Sequence, residues 1–443
     1  MQNDKTTLKD LSFLGSGHHS VYHLIDHTTT HAGRDQLRNL VLSPPSGYES
    51  LLSLQQAVGF LAEHPEAWTR IISNGTLVML EKFFESADTA GHQPGSISLR
   101  LGTIFQKLFN KGQYTLTQFS ISHLSDFFRG CKELLRMLEL EGLPERLRLI
   151  LMEIKEELDR DPTAHAVLAV DKRTPYPELA KLSYLARRQL KNPVYRMMQH
   201  YAKLDAWHSM AVATVKHGWV FPKLNPPFPI RMKADGLYHP LLKKPVSYDI
   251  DFDRNRNFLL LTGANMSGKT TFMRALGVSA LLAHLGMGVP ATSFEISFLQ
   301  GIITNMYVED NILAGESFFF AEVQRIKETA RRLQEPQPHL VLMDELFKGT
   351  NVHDAFECTK AVVEGLLRYD RHIMVLSTHL YEVAQQFVDR KELIFAYFVT
   401  EMSEEGGYSF RYELKSGISN DRIGYRILQK EGVIALLQDK KEG

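Results

Sequence analysis

The chain has 443 residues, 44% of them hydrophobic and 23% charged, which exceeds one compact core and predicts two or three domains. Its 51 Lys+Arg balance 51 Asp+Glu. With 26 basic and 23 acidic side chains in residues 1–230 and 25 and 28 in the rest, neither half is the basic body of a protein whose affinity rests on neutralising many phosphates. Two lone cysteines, Cys131 and Cys358, give neither a disulfide framework nor a zinc site, and no apolar run approaches the ~20 residues of a membrane span.

The N-terminus, MQNDKTTLKD, lacks a basic segment followed by an apolar run. This predicts no signal peptide and, with two buried thiols, a reducing cytoplasmic setting. Residues 51–63, 121–140, 145–159 and 177–200 place Leu, Ile, Phe and Met at three- and four-residue intervals, so the first 220 residues are predicted mostly helical. Leu124, Phe127, Phe128, Cys131, Leu134, Leu135 and Leu138 form one such face. Breakers at Pro44-Pro45, Gly91–Gly95, Gly142–Pro144 and Asp161-Pro162 separate the helices. Arg187, Arg188, Lys191 and Arg196 share one expected helix, where they read as a solvated face before they read as phosphate contacts.

The proline-rich run Phe221–Pro229 cannot continue a helix, because proline lacks the N–H and restricts its predecessor. Beyond it, short apolar runs at 258–262, 301–306, 340–343 and 373–377 alternate with helical stretches, the pattern of a largely parallel sheet with crossover helices.

Gly263-Ala264-Asn265-Met266-Ser267-Gly268-Lys269-Thr270 fits G-x-x-x-x-G-K-[ST]. Glycines let the backbone curl so that N–H groups face phosphate oxygens, Lys269 reaches the β- and γ-phosphates, and Thr270 offers a hydroxyl to Mg²⁺. The helix expected from Thr271 turns its positive end to the same anion. Such a match arises by accident in roughly one chain of this length in a hundred. Here it lies between an apolar strand and an apolar helix, the setting the motif requires. The run 339–345 is a strand ending in Asp344-Glu345, which suits Asp344 to Mg²⁺ and Glu345 to the attacking water as general base. A third strand ends in Ser377-Thr378-His379, and His379 is singled out from 18 histidines only by that position. ATP and Mg²⁺ are therefore the expected ligands.

The Asn-Met inside the loop resembles the G-P-N-M-G-G-K-S-T loop of the MutS family of DNA mismatch-repair ATPases. Tyr238-His239-Pro240 resembles that family's R-H-P, 288–291 its Y-V-P-A, 310–323 its D-D-L-A-S-G-R-S-T-F-M-V-E-M, and 344–350 its D-E-I-G-R-G-T. Residues 20–34 more weakly resemble its L-x-x-x-L-D-x-T-x-T-x-x-G, and Leu54–Val58 its R-Q-x-x-V/I helix. The resemblance implies an α/β P-loop NTPase domain at 229–443, preceded by a mainly α-helical core and lever domain at 1–228. It implies a homodimer joined through the ATPase domains, with Ser317 reaching the partner's nucleotide. It places Val246 at the nucleotide and Pro245 where the family stacks an aromatic on adenine. Phe347-Lys348 replaces the family's Gly-Arg. The family's mismatch-reading and connector domains are not expected in this chain, which makes mismatch-specific reading improbable while leaving DNA binding open. The expected function is a dimeric ATPase coupled to lever-helix movement in DNA repair or recombination. The alternative is a nucleotide-gated protein scaffold that recognises no DNA. A transporter-type ATPase is disfavoured, because no L-S-G-G-Q precedes Asp344.

Overall fold

The computed structural model describes residues 4–15, 20–86, 111–264, 266–306, 318–402, 408–419 and 432–438. Among these, no helix is long and apolar enough to cross a membrane. The chain divides into two compact units, one made of residues 25–41 and 53–215, the other of the described parts of 1–24, 42–52 and 216–443.

The first unit is helical. Helix Lys111–Leu134 runs into a 3₁₀ turn at Leu135–Glu139, and helix Glu145–Asp159 starts and stops where its periodicity predicts. Leu124, Phe127, Phe128, Cys131 and Leu134 are buried along the expected face, and burial pushes the Cys131 thiol up. Cys358, expected buried as well, is only half-buried. The single helix expected at 177–200 is two, Tyr176–Gln189 and Lys191–Lys216. Pro193 has no N–H to extend the first ladder and is tolerated in the first turn of the second.

A buried knot closes this unit. Asp205, fully buried, accepts hydrogen bonds from Thr29 N (3.0 Å), Thr29 Oγ1 (3.0 Å), Thr30 N (2.9 Å) and Thr30 Oγ1 (2.7 Å). Gly33 is obligatory beside it, because a Cβ there would lie 2.1 Å from Asp205 Oδ2. Thr29, Thr30 and Gly33 thus serve one carboxylate, while Thr28 donates to Asp26. Three arginines of the two C-terminal helices are also engaged within the unit. Arg196 makes a two-pronged pair with Glu157 (2.8 and 2.9 Å), Arg187 donates to the carbonyls of Phe83 and Ser86, and Arg188 stacks on Tyr184.

The second unit holds two sheets. Strands β1 (Lys223–Asn225), β2 (Arg231–Leu237), β3 (Tyr248–Asp253) and β5 (Ser293–Ser297) form a mixed sheet in the order β1-β5-β2-β3. The larger sheet takes β4 (Phe258–Thr262), β6 (Gly301–Asn305), β7 (His339–Asp344), β8 (Ile373–Thr378), β9 (Leu393–Met402) and β10 (Tyr408–Ser416) in the order β10-β9-β4-β8-β7-β6. Every neighbour pair in it is parallel except β9–β10. β4, β6 and β8 are buried along their whole length, as expected for strands covered on both faces. The four strands read from sequence are all here. The mixed sheet and the β9–β10 pair are additional.

Helix Lys5–Asp10 belongs to this unit, against a sequence division that put it in a helical domain ending at 228. Thr7 Oγ1 donates to the carbonyl of Ile302 (3.3 Å), and the buried Asp10 accepts from Thr304 Oγ1 (2.7 Å) on β6. Leu11 follows the helix and fills the space of a Cβ at Gly277.

Candidate functional site

β4, β8 and β7 are adjacent, so their C-terminal ends bring three segments together. Thr262 is level with Thr378, and Asp344 with Ser377. The loop Gly263–Gly268 leaves β4, the carboxylates leave β7, and His379 leaves β8, which lies between them.

The loop turns on Gly263 and Gly268, with φ of 136° and 113°, and on Met266 at 69°. Helix Lys269–His284 begins two residues before the expected Thr271. No side chain caps it, so its first N–H groups are left for an anion. Lys269 is buried, and its ammonium donates to the carbonyls of Gly263 (2.8 Å) and Ala264 (2.9 Å). Burial lowers the Lys269 amine from its ordinary value, against the pull of Glu345 and Asp344. Ser267 Oγ is buried without a hydrogen-bond partner among the described residues. An ammonium spent on its own loop, uncapped amides and an orphaned hydroxyl fit a phosphate chain. Asn265 lies outside the described residues.

Across the loop, Thr270 Oγ1 donates to Asp344 Oδ2 (2.7 Å), and Ser377 Oγ donates to Asp344 Oδ1. A hydroxyl facing a carboxylate is the donor pair that a hard cation such as Mg²⁺ takes. Glu345 Oε1 lies 3.6 Å from Lys269 Nζ and 3.8 Å from His379 Nδ1, and Oε2 lies 3.3 Å from Lys348 Nζ. Burial would raise this carboxyl, but the nearby His379 ring and the charges of Lys269 and Lys348 outweigh it and hold Glu345 at about 2. Lys269, Thr270, Asp344, Glu345 and His379, singled out at three separate points of the sequence, thus meet at one site. Ser317 lies outside the described residues.

The turn after β7 is strained. Glu345 and Phe347 take φ of 53° and 61°, left-handed values that cost about 1–2 kcal/mol each for residues other than glycine. Glu345 N donates to the Ser377 carbonyl (3.0 Å). Lys348 N and Gly349 N both donate to the carboxylate of Glu322, one to each oxygen at 3.2 Å. The Phe347 ring is buried against Phe319, with centroids 5.9 Å apart. Glu322 and Phe319 both come from helix Phe318–Arg332.

Val246 is half-buried and Pro245 exposed in the loop entering β3. Tyr248, two residues on, packs edge-on against Phe272 of the phosphate-loop helix and Phe398 of β9. A register shift between Phe410 and Leu414 in the β9–β10 pair accompanies Tyr412 at φ 54°. Its ring stands 3.2 Å from where a Cβ on Gly268 would sit. Tyr412, Lys348 and Glu322 were not assigned site roles from the sequence. The last two lay inside motif matches, Glu322 in 310–323 and Lys348 in 344–350, without a site role attached.

With this geometry in place, comparison with known proteins finds the relatives of its C-terminal part. Residues 259–438 match the family model described as MutS domain V. Over that stretch the chain is similar to the MutS family. It is 31% identical over 243 residues to a DNA mismatch repair protein msh3 of Aspergillus fumigatus, which covers 52% of this chain and 21% of that one. It is 28% identical over 295 residues to a DNA mismatch repair protein MutS of Thermus thermophilus, covering 66% of this chain and 34% of that one. The chain therefore spans about a fifth to a third of the length of the curated relatives it matches. The α/β unit has the mixed sheets and helices that fit the MutS domain V.

Proposed function

We propose that this MutS-like chain binds ATP with Mg²⁺ at 263–271 and hydrolyses it, as a dimer joined through the nucleotide units, and couples the nucleotide state to movement of its helical segments. One observation carries the reading: an anion-ready loop, a hydroxyl–carboxylate pair and an ionised glutamate meet at the ends of three adjacent strands. Lys269 and the first amides of its helix hold the phosphates. Thr270 and Asp344 hold Mg²⁺, which when bound offsets charge on the phosphate oxygens. Glu345 takes the proton of the attacking water, and His379 steadies that carboxylate. Water attacks the terminal phosphorus, and the bond to the ADP oxygen breaks. Ser317 is assigned by resemblance to the partner's nucleotide, and turnover should then fall on dilution below the dimer's dissociation constant. Tyr412 offers an aromatic face beside Gly268, which supports base stacking at a site where Pro245 supplies none.

The downstream partner is DNA in the first reading, in keeping with the mismatch-repair names of the relatives. The zero formal net charge and the in-chain engagement of Arg187, Arg188 and Arg196 favour the second, a protein partner gated by nucleotide. Titration with a fluorescent ATP analogue, with and without Mg²⁺, followed by steady-state hydrolysis, tests the ATPase. Absence of Mg²⁺-dependent uptake would overturn it. A salt titration of binding to branched, mismatched and plain duplexes separates the two partners, since phosphate contacts weaken steeply with salt.

A further inference from the structure

Glu345, the residue proposed to activate water, sits at the start of a turn that the chain does not hold by local preference. Two residues other than glycine, Glu345 and Phe347, are left-handed within three positions. Left alone, such a turn relaxes toward ordinary backbone angles and carries the Glu345 side chain with it. Beyond the backbone hydrogen bond from Glu345 N to Ser377 and the packing of Phe347 in the apolar cluster around it, helix Phe318–Arg332 supplies two grips on it among the described residues. Glu322 is buried, and its two oxygens each accept one N–H of the turn, from Lys348 and Gly349. One turn earlier on the same helix, Phe319 packs on the Phe347 ring. The clamp also aims Lys348, since fixing its backbone N–H keeps its ammonium 3.3 Å from Glu345.

From this we infer that Glu322 is a positioning residue for hydrolysis: its carboxylate clamps the strained turn 345–349 and holds the Glu345 and Lys348 side chains in working register. The inference rests on the ATPase reading for its kinetic consequence, while the clamp itself is a property of the fold. Glu322 touches neither the phosphate loop nor the Thr270–Asp344 pair through any hydrogen bond among the described residues. Its loss should therefore spare nucleotide binding and damage turnover.

The test uses the full chain and two variants. Glu322→Gln keeps the shape and one acceptor but turns an amide NH₂ toward a backbone N–H. Phe319→Leu loosens the second grip without touching the carboxylate. For Glu322→Gln, kcat is expected to fall about tenfold or more, with KM and the affinity for a fluorescent ATP analogue within about twofold of wild type. Phe319→Leu should lower kcat less, and the double variant should fall short of the product of the two, because both loosen one turn. Hydrogen exchange of the peptide spanning 345–349, read by mass spectrometry without nucleotide, should accelerate in both variants while peptides of β4 and β8 stay protected. Unchanged exchange at 345–349 in Glu322→Gln overturns the clamp, whatever the kinetics. Accelerated exchange with unchanged kcat, or with kcat and nucleotide affinity lost together, overturns the positioning role. If the wild-type chain does not hydrolyse ATP, the ATPase reading and the kinetic role fail together, while exchange still decides the clamp.

Discussion

Two carboxylates, a buried one in the helical unit and a half-buried one in the other, are held in opposite ways. Asp205 is surrounded by neutral donors, two backbone amides and two threonine hydroxyls, in a space so close that Gly33 cannot be any other residue. Glu345 faces three nitrogen groups, Lys269, Lys348 and His379, each 3.3–3.8 Å away, on a strained turn. Fixed neutral donors at hydrogen-bond distance make a joint, since nothing remains to be done at Asp205. Long, charged side chains at looser distances make a reaction site, since they can exchange partners when a triphosphate and a water arrive. Partial or complete burial is common to both. Completeness of hydrogen bonding separates structure from chemistry.

Several experiments sharpen or break that contrast. The largest effect is expected for Lys269→Ala, which should cost about a hundredfold or more in nucleotide affinity, read by analogue titration. Glu345→Gln should leave that affinity nearly intact and lower kcat by about a hundredfold, trapping an ATP-bound dimer visible by size-exclusion chromatography with light scattering. Asp205→Ala should do the reverse. It strands the donors of Thr29 and Thr30 and should cost about 3 kcal/mol in urea unfolding while sparing the affinity for nucleotide. A loss of nucleotide affinity at full stability in that variant would erase the distinction.

The smallest effect concerns pH. With Glu345 held at about 2, below the ordinary 4.5, its carboxylate stays charged through the physiological range, so kcat/KM should show no acid limb from it near neutrality. Its contribution to stability is full above the unfolded value and disappears as pH falls through the folded one. Lys348→Met removes a positive neighbour and should move the acid limb upward, measured between about pH 3 and 6. An unmoved limb would mean that Lys348 does not tune this carboxylate.

What was legible in the sequence was local. β4, the loop and the β7 acids are contiguous runs whose residue types dictate their geometry, and helix Glu145–Asp159 is bounded by its own periodicity. The β1–β5 and β2–β5 pairings join strands with β3 and β4 between them in the chain, which no window shows, while the consecutive strands β9 and β10 were not singled out by apolar runs. The site divides the same way. Lys269, Thr270, Asp344 and Glu345 are fixed by motif, and His379 by the expectation of an adjacent strand. Glu322 gains meaning only from amides 26 and 27 residues away, and Tyr412 only from a bulge that turns it toward Gly268. A phenylalanine at a left-handed position carries no signal at all, since that conformation is read from glycine.

Helix Lys5–Asp10 has a practical consequence. It covers β6, the outermost strand of the larger sheet, although more than 290 residues separate Thr7 and Asp10 from their partners there. A minimal ATPase fragment cut at residue 229 would lose that cover, strip the Leu11 side chain from the pocket at Gly277, and present a bare sheet margin prone to self-association. Supplying residues 4–13 as a separate peptide, or fusing them through a linker, should restore a soluble fragment.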